Sequence, residues 1–226
     1  YNLKNPLFQD KRVRQALTYA INREEIVQYV LYGLGKVANG PFPPQLWYSN
    51  PHVKPLPYDP TKARQLLAEA GWKDINGDGI LEKDGKPFSF KLITNSGNDT
   101  RRDVGVLAQR AFRELGIDVK FEVYEWSVFL KNFINAKAFD ACILGWSLSP
   151  DPDDYQIWHS SQIEKGFNFI SYRNPEVDRL WEEGRREYDI EKRKVIYWRI
   201  NELMAEDQPY TFLFVPLGIT ALQKKF

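Results

Sequence analysis

The chain has 226 residues, 43% of them hydrophobic, and carries 31 basic against 30 acidic side chains, a net charge of +1. That balance argues against a nucleic-acid groove, no apolar run approaches the roughly 20 residues of a membrane span, and a lone cysteine, Cys142, excludes an internal disulfide. The abrupt start at Tyr1-Asn2-Leu3, with no initiating Met or signal peptide, and the stop at Lys224-Lys225-Phe226 read as a piece of something longer.

Asp10 is placed to cap a helix in which Val13, Ala16, Leu17, Ala20 and Ile21 form one apolar stripe. Asn22 with Glu25 is a capping-box pattern that starts a second helix, ended by Gly33. From Gly40 to Pro60 seven prolines deny regular hydrogen bonding, so the chain makes a stiff surface excursion. Its aromatics, Phe42, Trp47, Tyr48 and Tyr58, either anchor that loop on the core or line a cleft. Asp59-Pro60 caps the next helix, with Ala63, Leu66, Leu67 and Ala70 on one face and Gly71 at its end.

Asp74 to Glu82 reads D-x-N-x-D-G-x-x-E. Oxygens of Asp74, Asn76, Asp78 and Glu82 with the Ile80 carbonyl suit a calcium loop, and Gly79 suits its sharp turn. The twelfth position, where an EF-hand needs a bidentate acid, is Gly85, and the flanks are turn chemistry. Two readings therefore stand: a structural calcium site, or a tight turn whose side chains satisfy their own backbone.

Phe88 to Thr94 alternates as a strand, a helix carries Val104, Leu107, Ala108, Ala111, Phe112 and Leu115 on one stripe, and Ile117 to Tyr124 is a second strand. Strand, helix, strand of this length reads as a crossover between parallel strands. A helix over 127–136 follows, then a buried strand, Ala141 to Leu144, that breaks at Gly145-Trp146 into a loop of prolines, aspartates and aromatics. An extended run over Phe167–Tyr172, two helices opened by Asn174-Pro175-Glu176, and an apolar strand over Pro209–Pro216 complete the order, which is α/β. The basic clusters Lys11-Arg12, Arg101-Arg102 and Lys192-Arg193-Lys194 read as solvated helix faces.

Catalysis finds little support. His52 and His159 lie in unrelated loops without metal-ligand spacing, no glycine-rich phosphate loop is present, and Gly145-Trp146-Ser147-Leu148-Ser149 lacks the final glycine of a nucleophile elbow. Binding is better served. Trp146 offers a flat apolar face, and Ser149, Asp151, Asp153 and Asp154 offer acceptors, some of them needed as helix caps.

Two blocks carry a resemblance. Asp10-Lys11-Arg12-Val13-Arg14-Gln15-Ala16-Leu17 with Tyr19-Ala20-Ile21-Asn22-Arg23, and Tyr58-Asp59-Pro60 through Leu66-Leu67-Ala68-Glu69-Ala70-Gly71-Trp72, resemble signatures of the extracellular solute-binding proteins, family 5, of ABC importers for dipeptides and oligopeptides. The resemblance implies a type II periplasmic-binding-protein-like lobe, a mixed sheet flanked by helices with the proline-rich excursion. Residues 1–226 would be a single C-terminal lobe, facing an N-terminal lobe of the same parent chain across a hinged cleft.

It also implies capture without reaction, no required cofactor, membrane permease subunits as partners, and a periplasmic or extracytoplasmic location, with a lipid anchor on the missing N-terminus. The cleft lining carries over onto Gly145, Trp146, Ser149, Asp151, Asp153 and Tyr155. Peptide-binding members commonly place an Asp three residues after that Trp to hold the ligand's ammonium, and here the position is Ser149. Either Asp151 takes that role for a peptide, or the ligand is neutral, such as an oligosaccharide. An intracellular hydrolase domain is the remote alternative.

Overall fold

The computed structural model describes residues 1–218, 220, 222 and 223. Local signals set most of the elements. Asp10 Oδ1 accepts the Arg12 N–H at 2.9 Å and opens α1, Lys11–Ala20. Asn22 Oδ1 accepts the Glu25 N–H at 3.1 Å and opens α2, which is α-helical only over Arg23–Glu25 and then widens into π turns over Ile26–Val30. β1 is Gly35–Val37. Asp59 caps α3, Pro60–Glu69, through the Lys62 N–H. β2, Glu82–Lys83, and β3, Lys86–Pro87, form a small hairpin.

β4, Ser89–Asn95, leads through the Asn98 cap into α4, Asp99–Arg113, and then β5, Asp118–Tyr124. β5 pairs in parallel with β4 over all seven residues, Ser89↔Asp118 to Asn95↔Tyr124. α5 begins over Trp126–Val128 and, like α2, continues as π turns, Phe129–Ile134. A regular helix was expected here. The i→i+5 turn instead sets Phe129 and Ile134 on one side, and both are fully buried while Val128 is exposed.

β6 is Ala141–Cys142, on the other side of β4, so the sheet order is β5-β4-β6, all parallel. The expected strand to Leu144 keeps one further bond, Ile143 N–H to the Ile93 carbonyl at 2.9 Å. Cys142 is half-buried. α6, Tyr155–Trp158, α7, Pro175–Arg186, and α8, Ile190–Asp207, precede β7, Phe214–Pro216, which pairs antiparallel with β1. Strand directions are therefore mixed, but among the described residues they are divided over three small sheets rather than joined in one. Asp189 caps α8.

The run Phe167–Tyr172 is not a strand. Asn168, fully buried, donates to the carbonyls of Trp158, His159 and Tyr172 and accepts the Tyr172 N–H, so a side chain organises this segment in place of a ladder.

Two hydrophobic clusters sandwich the sheet. One holds α1, α3 and α4 against Phe90, Leu92, Ala141 and Ile143; the other holds α7 and α8 with Ile93 and Phe129. The proline-rich excursion is anchored in the second by Phe42 and Tyr48, both 1% exposed, with Phe42 edge-on to Trp181 and to Tyr197 at 5.9 Å.

Two arginines of the signature blocks are architectural. Arg14 is buried and donates to the carbonyls of Phe8, Gln9, Asp207 and Gln208, while Arg23 reaches those of Ala38, Leu56 and Phe212. Each thereby ties segments distant in sequence to the helix layer. Gly105 lets α4 lie on β5, since a Cβ there would come within 2.2 Å of the Phe121 ring. No helix among the described residues is long and apolar enough to cross a membrane.

Candidate functional site

The carboxyl end of a parallel sheet is where an α/β fold usually meets its ligand. From β6 the chain emerges there at Gly145-Trp146. Trp146 is 36% exposed. Its indole lies nearly parallel to the Phe169 ring, at 5.8 Å between centroids and 9°, with Phe167 at 5.9 Å, and Nε1 donates to the Tyr210 hydroxyl at 3.4 Å. These contacts hold a large apolar face in place while leaving part of it open. An apolar cavity of about 110 Å³, bounded by Trp146, Phe169, Tyr210, Leu144 and Leu92, adjoins it.

Beside Gly145 stands Arg101, in the first turn of α4. Its sequence neighbour Arg102 pairs with Asp99 at 2.8 Å and Asp103 at 3.2 Å, a solvated helix face as expected. Arg101 is different: it is half-buried, and Nη1 donates to Asn95 Oδ1 at 2.7 Å. Burial holds its pKa below the usual arginine value. A local signal was present, because a cation in the first turn opposes the helix dipole, and such a violated preference often marks a site.

The remaining residues of the loop are engaged with one another and with α7 and α8. Ser149 Oγ donates to the Asp151 carbonyl at 2.8 Å. The Asp151 carboxylate accepts two bonds from Arg193, both 3.0 Å, and this pairing lowers its pKa. Asp153 pairs with Arg185 at 3.0 Å. Tyr155 is stacked on His159 at 4.2 Å, with the Arg185 guanidinium 4.4 Å above its ring. The structure thus groups Gly145 and Trp146 with Arg101, Phe169 and Tyr210, and collects Ser149, Asp151, Asp153 and Tyr155 into a belt that fixes the loop.

Asp154 stands apart in that belt. It is 8% exposed, the N-cap of α6 without a side-chain cap bond, and its carboxyl is raised to about 7, first by burial and then by the charges of Asp153 and Asp151. His159 Nδ1 is engaged by Ser161, with Oγ at 2.8 Å, and neither Ser147 nor Ser149 hydrogen-bonds a histidine among the described residues.

The Asp74–Glu82 loop holds its oxygens on its own amides. Asp74 accepts the N–H groups of Gly77 and Gly79 at 2.7 and 3.0 Å, Asn76 that of Asp78 and Asp78 that of Ile80, both at 2.8 Å, and Glu82 that of Ile75 at 2.9 Å. The Asn76 amide nitrogen donates to both Asp78 and Glu82. Among the described residues no group of three or more His, Cys, Asp or Glu is arranged to hold a metal ion.

Comparison with known proteins gives a consistent picture. The profile of the bacterial extracellular solute-binding proteins, family 5 Middle, matches residues 1–167. The oligopeptide-binding protein AppA of Bacillus subtilis is 49% identical over 219 residues, 96% of this chain and 40% of AppA. Its structure in complex with a nonapeptide superposes with a TM-score of 0.91, covering 96% of this chain and 44% of that one.

NikZ of Campylobacter jejuni in complex with Ni(L-His) is 32% identical, with a TM-score of 0.88 over 96% of this chain and 44% of its own. An oligopeptide-binding protein of Thermus thermophilus with a pentapeptide is 30% identical, with a TM-score of 0.86 over 95% and 39%. The chain spans about two fifths of the length of the curated relatives it matches.

Proposed function

The chain belongs to the bacterial extracellular solute-binding proteins of family 5, and on that premise we propose that it is the C-terminal ligand-binding lobe of a longer, two-lobed protein that captures peptides for an ABC importer. The observation that carries the reading is Trp146, a stacked and partly open aromatic platform at the carboxyl end of the parallel sheet. The likeness to AppA, solved with a nonapeptide, favours a peptide as the occupant.

In this reading the ligand is bound and released unchanged. The N-terminal lobe of the parent supplies the other wall of the cleft, hinge closure buries the ligand between the two, and permease subunits in the membrane receive it. The parent works outside the cytoplasm, in the periplasm or tethered to the membrane by a lipid. Trp146 contributes packing, and the loop that carries it is held rigid by the Asp151–Arg193 and Asp153–Arg185 pairs. That rigidity lowers the ordering cost of binding.

Calorimetric titration of the full-length parent with a peptide tests this. Loss of an aromatic anchor typically costs about 2 kcal/mol or more, so Trp146→Ala is expected to weaken binding by about 30-fold. Unchanged affinity would remove Trp146 from the site. Binding of oligosaccharides in place of peptides would transfer the platform to sugar stacking.

A further inference from the structure

Only four of the arginines are buried or half-buried. Arg14 and Arg23 each donate to three or more main-chain carbonyls, and Arg193 is paired with Asp151. Arg101 has one uncharged partner, the Asn95 side-chain oxygen at 2.7 Å, and forms no ion pair among the described residues. Asn95 is itself oriented, because its amide nitrogen donates to the Ser96 carbonyl at 2.8 Å, which turns the oxygen to Arg101. The second guanidinium nitrogen, Nη2, lies 3.5 Å from where a Cβ on Gly145 would stand, next to Trp146.

A guanidinium drawn partly out of water needs compensation, and a single amide oxygen supplies only part of it. Its planar fork of donors matches a carboxylate in two-bond geometry. We propose that Arg101 is the anion anchor of the site, its free edge taking a ligand carboxylate while Trp146 packs against an adjoining apolar part. This deepens the reading of the chain as a ligand-binding lobe and rests on it. The carboxylate has two sources in a peptide, the C-terminus or an Asp or Glu side chain, and the chemistry at Arg101 is the same for both.

The test uses the full-length parent and calorimetric titration with one pentapeptide in four forms: free acid or C-terminal amide, each with Glu or Gln at one internal position. Loss of the recognised carboxylate is expected to weaken binding about 10- to 100-fold, and the form that shows the loss identifies the source. Arg101→Gln should bring that ratio close to one, with Arg101→Lys keeping part of it.

Asn95→Asp supplies an internal counter-charge and should lower the ratio with Arg101 in place, which decides the matter if Arg101→Gln fails to fold. Peptide binding with no carboxylate preference, or an equal loss for all four forms in Arg101→Gln, overturns the anchor and leaves the peptide reading intact. Absence of binding by every peptide overturns both.

Discussion

Asp154 makes the most quantitative claim on the stability of this lobe. Its side chain is 8% exposed and takes no cap bond, and its carboxyl is raised from the ordinary 3.8 to about 7. Below about pH 4 the group is protonated whether the chain is folded or not. Between about pH 4 and pH 7 the unfolded chain releases the proton while the folded one retains it, so stability falls across that window, and above it the whole cost is present. At about 1.4 kcal/mol per tenfold change in proton affinity, the cost is on the order of 4 kcal/mol.

Asp154→Asn removes the charge at nearly constant shape. It should raise the unfolding free energy at pH 8 by about 2–4 kcal/mol, or roughly 5–10 °C in Tm for a chain of this length. At pH 4 it should change little. Urea denaturation at both pH values reads this directly. Equal effects at the two values, or destabilisation at pH 8, would refute the assignment of a buried carboxylate without a compensating partner.

Other sites give further predictions. Gly105→Ala forces a Cβ to within 2.2 Å of the Phe121 ring, and overpacking of this kind costs about 1–3 kcal/mol; in a Phe121→Ala background the same change should be neutral or stabilising, as a double-mutant denaturation cycle can show. Asn168→Ala strips hydrogen bonds from Trp158, His159 and Tyr172 at a fully buried position, and should cost about 3 kcal/mol or more, with faster amide exchange across the segment that carries Phe169. For the Asp74–Glu82 loop, the self-satisfied bonding predicts that millimolar calcium leaves Tm unchanged; a calcium-dependent rise that Asp78→Ala abolishes would assign an ion there instead.

The parts of the fold that were legible in the sequence are those decided within a few residues. Asp10, Asn22, Asp59 and Asn174 cap the helices that their sequences announce, and the β4-α4-β5 unit follows from alternation and an apolar stripe. The π turns at Ile26–Val30 and Phe129–Ile134 were not legible, since a stripe at 3–4 spacing does not separate an α turn from a wider one. Nor was the β1–β7 pair, which joins residues about 180 positions apart.

At the site, Trp146 stood out as an aromatic leaving a buried strand. Its partners did not, because Phe169 and Tyr210 are brought to it by Asn168 and by the turn after α8. The aspartates of the loop looked interchangeable in sequence, and only contacts across about 40 residues distinguish Asp151, held by Arg193, from Asp154, which makes no side-chain cap bond. Arg101 looked like Arg102, and they are separated by burial and by their partners, Asn95 for the one and two carboxylates for the other.

The most direct measurement is native mass spectrometry of the full-length parent as purified, with release and weighing of whatever the cleft retains. A spread of peptide masses is expected, displaced by added peptide and reduced in Trp146→Ala. Masses spaced by hexose units would contradict the peptide reading, and would make the Trp146 face a platform for sugar rings.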